Sequence, residues 1–117
     1  MITRPTNIDP EALAMLRECD TDGTLLPELV ELFRTETPRR LGALRAAVKA
    51  ANAVLLTQEA HALKSGCAQL GARHMADLCQ RLEIQGRIGS MQAAGPLLDE
   101  LEREFQAVLE ALQLELR

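Results

Sequence analysis

Aromatic side chains are almost missing from this chain: Phe33 and Phe105 are the only two in 117 residues, with no tryptophan and no tyrosine. Sheets depend on aromatic and β-branched residues, so the shortage argues against a β-rich fold. No stretch approaches the ~18 consecutive apolar residues of a membrane span, and no membrane partner is expected. The opening MITRPTNIDPEAL lacks the apolar centre of a secretory signal. The three cysteines form no C-x-x-C pair. Together these absences lead to an expectation of reduced thiols in a cytoplasmic protein. Excess positive charge is missing too, since the formal net charge is −4. Nucleic-acid-binding domains carry basic patches, so no nucleic-acid partner is expected. The pair Arg39-Arg40 reads as a solvated helix face. There is no glycine-rich phosphate loop, no nucleotide signature and no carboxylate pair on a predicted cleft, so an enzyme with its own substrate pocket is not indicated.

What remains is rich in Leu, Ala, Val and Met, with 47% hydrophobic residues overall. Such a composition suits helices, and residues 1–117 read as a single domain with one modest core. Asp9-Pro10-Glu11 marks a helix start, with a capping carboxylate, proline in the first turn and an acid near the positive dipole end. That short helix runs to about Glu18. Thr24 is expected to cap a longer second helix with an apolar stripe of Leu25, Leu26, Leu29, Leu32, Phe33, Leu41, Leu44, Ala47 and Val48. Pro38 should kink or split it. A third helix carries Leu56, Ala60, Leu63, Cys67 and Leu70 at helical spacing and ends at Gly71. A fourth carries Met75, Leu78, Cys79 and Leu82. The fifth carries Leu97, Leu98, Leu101, Phe105, Val108, Leu109 and Leu112, and Gly95-Pro96 either kinks it or begins it. Short connections make successive helices antiparallel neighbours. The expected fold is therefore all-α, an antiparallel up-down four-helix bundle with a short N-terminal capping helix.

His61 is the residue this pattern does not absorb. At ~100° per residue it lies about 140° from the mean direction of its helix's apolar stripe. It should face away from the core, beside Thr57, Gln58, Ser65 and Ala68, with Ala62 and Lys64 flanking. Nothing bulky and apolar stands on that face, so the imidazole is accessible. Taken alone, it reads first as a surface histidine of no consequence. If Gly71-Ala72 turns an antiparallel hairpin, residues whose numbers sum to about 144 stand level. His61 is then level with Glu83, whose carboxylate can fix the imidazole tautomer and leave the other nitrogen, Nε2, as a nucleophile. Glu83, at the edge of its own apolar stripe, would have to reach across. Lys64, one turn on from His61, could neutralise a phosphoryl group on the ring. His61 and Cys67 point about 120° apart, so a metal site from His61, Cys67, His74 and Cys79 is not expected. His74 reads as a polar residue beside the turn.

The stretch His61-x-Leu63-Lys64-Ser65-Gly66-Cys67-x-x-Leu70-Gly71-Ala72 resembles the H-x-L-K-(small)₃-x-x-L-G-A motif of histidine-containing phosphotransfer (HPt) domains. Those domains are helical bundles in bacterial-type phosphorelays, and the resemblance spans essentially the whole chain. The order Ser65-Gly66-Cys67 departs from Gly-Ser-Ser-like patterns, yet all three residues are small. The resemblance implies that His61 is the phosphoacceptor, that Lys64 is the motif lysine, and that Glu83 bonds the imidazole. It also implies that Ser65 and Gly66 lie beneath a docking partner, a surface that Thr57, Ala62 and Ala68 extend.

The function this implies is a phosphoryl carrier. It would accept the group on His61 and pass it to or from an aspartate of a response-regulator receiver domain. A sensor or hybrid histidine kinase would stand upstream. No cofactor of its own is expected, since Mg²⁺ belongs to the receiver. A monomer is expected from the charged outer faces, and a free-standing protein from Met1 and the short first helix. The alternative is a non-covalent helical adaptor that binds a signalling partner through the same face.

Overall fold

The computed structural model describes residues 7–117; the absence of a secretory signal was read partly on residues 1–6, which lie outside them. Five helices follow in order: α1 (Pro10–Cys19), α2 (Leu25–Lys49), α3 (Ala53–Gln69), α4 (Arg73–Ile88) and α5 (Ala94–Glu115). Among the described residues there is no strand. Helices α2 to α5 pack in a ring, each against the next and α5 back against α2, with α3–α4 the most extensive interface. The connections 50–52, 70–72 and 89–93 are short, so successive helices run antiparallel. This is the helical bundle with a short N-terminal helix that the periodicities indicate.

Local chemistry sets the helix ends. The Asp9 carboxylate accepts from the amide of Glu11, and Pro10 fills the first helical position of α1. Thr24 does not cap α2 with its side chain as expected; it stands at the cap position with helical dihedrals. Its amide and hydroxyl donate instead to Asp22, and the amide of Leu26 is taken by Asp20 Oδ2 at 3.3 Å. Asp20 and Asp22 together satisfy donors that a single cap would leave open. Asn52 caps α3 by accepting from Leu55 at 3.1 Å. Pro38 is exposed and does not split α2, which stays one helix of 25 residues. Gly95-Pro96 proves to be the beginning of α5, in its first turn, where a missing N–H costs nothing.

The core stripe of α2 differs from the expected one. Leu26, Val30, Phe33, Thr37, Leu41, Leu44 and Ala47 are buried, whereas Leu32 is 56% exposed. Phe33 and Phe105, the two aromatics, meet edge to face with ring centroids 5.3 Å apart. They join α2 to α5 across the core. Leu44, Leu56, Leu82, Leu98, Leu101 and Leu112 are fully buried, and truncating such a leucine costs about 2–5 kcal/mol.

Helix α1 closes the end of the bundle where α3 turns into α4. The Asp9 amide donates to the Gly71 carbonyl at 2.8 Å, and Arg73 donates to Asp9 Oδ2 at 2.6 Å. Gly71 has φ +76, and a methyl group there would sit 2.8 Å from the Ala12 Cβ. Only glycine both adopts that backbone and admits α1 so closely.

Candidate functional site

The stripe that buries Leu56, Ala60, Leu63 and Cys67 turns His61 outward. Its side chain is 60% exposed. On α4 the buried stripe runs Met75, Leu78, Cys79, Leu82, Glu83, Gly86. Glu83 is thus part of the seam against α3 and not at its margin, with 5% of its surface exposed. No long reach is needed. One carboxylate oxygen, Oε2, lies 3.2 Å from His61 Nδ1; the other, Oε1, accepts from Lys64 Nζ at 2.8 Å. A third partner, Arg87, one turn along α4, donates to Oε2 at 2.8 Å.

A buried carboxylate ordinarily resists ionisation. Here the Lys64 ammonium, then the Arg87 guanidinium, outweigh that penalty, with a smaller contribution from His61. The Glu83 carboxyl is held at about 2, against an ordinary 4.5. At neutral pH Glu83 is an anion and can only accept. The hydrogen bond to His61 therefore requires a proton on Nδ1, which leaves the Nε2 lone pair free and directed away from Glu83. Glu83, Lys64 and Arg87 together carry one net positive charge beside that nitrogen.

The surface around His61 is low where small residues were expected and apolar where its neighbours contribute. Ser65, Gly66 and Ala68 are exposed, and Ala62 is half-buried. Thr57 is half-buried in the α3–α4 seam, its hydroxyl donating to the Ala53 carbonyl at 2.8 Å. Beside Ala62 and Gly66 a groove of about 180 Å³ opens between α2 and α3, floored by Leu29, Phe33 and Leu63 and edged by Leu32. On the other flank Val54 and Ile88 are 66% and 67% exposed. Reasoning on α3 alone missed these contributions from α2 and α4. Arg87 was missed as well, although its position four residues after Glu83 is the spacing at which helical side chains pair.

The other candidates lie apart from this cluster. His74 Nε2 is 2.9 Å from Glu100 Oε2 on α5. Cys67 and Cys79 are fully buried. The neighbouring Cys67 thiol, then burial, push the Cys79 thiol well above its ordinary range, which makes it an inert core residue. Among the described residues no group of three or more His, Cys, Asp or Glu is placed to hold a metal ion. Nor is any helix there long and apolar enough to cross a membrane.

The Hpt domain family matches residues 28–112. The fold superposes on the crystal structure of histidine-containing phosphotransfer protein B (HptB) from Pseudomonas aeruginosa PAO1 with a TM-score of 0.89 and 34% identity, over 97% of this chain and 96% of that one. No curated protein sequence matches the chain. The chain belongs to the Hpt domain family and is a histidine phosphotransfer protein of two-component signalling.

Proposed function

We propose that His61 is the phosphoacceptor, exchanging a phosphoryl group between its Nε2 and an aspartate of a receiver domain. The observation that carries this reading is the exposed imidazole whose Nδ1 is held by an ionised, buried Glu83. On loading, the Nε2 lone pair attacks the phosphorus of an aspartyl phosphate. The N–P bond forms, the P–O bond breaks, and its electron pair leaves with the aspartate carboxylate. The ring keeps its Nδ1 proton and becomes cationic, and the Glu83 anion stabilises that charge. Lys64 and Arg87 stand beside the incoming phosphoryl oxygens, each able to leave Glu83 for a more highly charged anion. Unloading is the reverse. The receiver supplies the divalent cation for the transfer.

The surface supports a docked partner. Small residues at Ser65, Gly66 and Ala68 let another backbone approach His61, and the groove beside Leu32 offers apolar contact. A histidine kinase is the expected distal source of the phosphoryl group. The reading places the whole of 1–117 in one phosphotransfer domain.

The test that separates a carrier from an adaptor is His61→Gln. A carrier variant still binds the phosphorylated receiver, with affinity within about threefold, and accepts no phosphoryl group. Unchanged signalling through the glutamine variant would contradict covalent transfer and favour the adaptor.

A further inference from the structure

Gly86 is buried in α4, and it faces the α3 backbone without a side chain between them. A methyl group in place of its hydrogen would overlap Thr57 Oγ1 and lie 3.0 Å from both the Ala53 carbonyl oxygen and the Thr57 amide nitrogen. Two of these three obstacles are backbone. The third cannot swing away freely, because the Thr57 hydroxyl is bonded to the Ala53 carbonyl. The other helical glycines, Gly42, Gly66 and Gly95, would each meet nothing within 4 Å. Glycine weakens a helix interior, so at position 86 the close approach is what it provides.

That approach lies one turn from the site. Gly86 follows Glu83 by three residues on α4, and Thr57 precedes His61 by four on α3. The distance along the helix is about 4.5 Å on α4 and about 6 Å on α3. The separation of α3 and α4 at Gly86 therefore sets the reach from Glu83 to His61 Nδ1 and Lys64 Nζ, now 3.2 and 2.8 Å. A widening of several tenths of an ångström takes the longer of these out of hydrogen-bonding range.

We propose that Gly86 is a positioning residue of the phosphotransfer site: its missing side chain holds α4 against α3 at the spacing that lets Glu83 fix the His61 tautomer. The effect on transfer rests on the reading of His61 as phosphoacceptor; the effect on the imidazole does not.

The experiment is nitrogen NMR of the His61 ring, above the pH of its titration, in the wild type, Gly86→Ala and the control Gly42→Ala. The wild type and Gly42→Ala are expected to show a dominant Nδ1–H tautomer. Gly86→Ala should show the tautomer mixture of an untethered ring and a transfer rate reduced about tenfold. Added to Glu83→Gln, which already removes the charged acceptor, Gly86→Ala should change the rate less than about twofold, because the two act through one contact. A wild-type tautomer in Gly86→Ala, or rate effects that simply multiply, would overturn the proposal. Should Gly86→Ala not fold, Thr57→Ala/Gly86→Ala relieves the overlap but keeps the backbone contacts, and a wild-type tautomer there overturns it equally. If the tautomer shifts while the wild type takes no phosphoryl group from any receiver, the positioning role stands and the carrier reading falls.

Discussion

Glu83 is the residue that holds the His61 imidazole, its Oε2 3.2 Å from Nδ1. Its carboxyl titrates near 2 because Lys64, Arg87 and His61 all bind the anion. A carboxyl held below its ordinary 4.5 contributes stability at and above that value and loses it as the pH falls toward 2. Urea unfolding should therefore show a wild-type advantage over Glu83→Gln that shrinks as the pH falls from about 4.5 to 2. Parallel pH profiles for the two proteins would contradict the pairing. This pair was legible in the sequence, because a tight turn at Gly71 makes level positions a matter of counting. The depth of Glu83 was not legible: its neighbours in sequence are Leu82 and an exposed Ile84, and only the seam with α3 shows that it is covered. Arg87 escaped for the same reason, since the sequence pattern puts its partner Glu83 only at the edge of the apolar stripe.

At the scale of elements, strain collects in the connections. Ala51, between α2 and α3, has φ 53, a left-handed conformation that costs an alanine its Cβ contacts. Ala51→Gly should raise stability by about 0.5–1 kcal/mol, after the extra flexibility of glycine in the unfolded chain is deducted. The shift in the urea midpoint measures it, and a loss of stability would contradict it. The helices themselves were readable from periodicity, including the ends of α1 and the cap at Gly71. Two features were not. Pro38 signals a break, but α2 runs through it; the residue is exposed, so its ring faces solvent, and neighbouring turns with buried Phe33, Thr37 and Leu41 hold the helix against the bundle. Leu32 fits an apolar stripe as well as Val30 does, and only the rotation of the packed helix decides that Val30 is inside.

For the whole molecule, the bundle turns His61 outward on a packed pair of helices and surrounds it with small residues and apolar edges. Under the proposed transfer, that face meets another protein closely. A tryptophan at Ser65, which is exposed and one turn from His61, should lower transfer from a phosphorylated receiver at least about tenfold, or ~1.4 kcal/mol, with helicity and melting temperature unchanged. An unaltered rate would place docking elsewhere. The central claim is that Nε2 of His61 carries the phosphoryl group, because Glu83 occupies Nδ1. Phosphorus NMR of the protein loaded with a small phosphoramidate donor tests it most directly. The account predicts one acid-labile signal of a phosphoimidazole substituted at Nε2, absent from His61→Gln. A signal from the Nδ1 isomer, or one that persists in the glutamine variant, would contradict it.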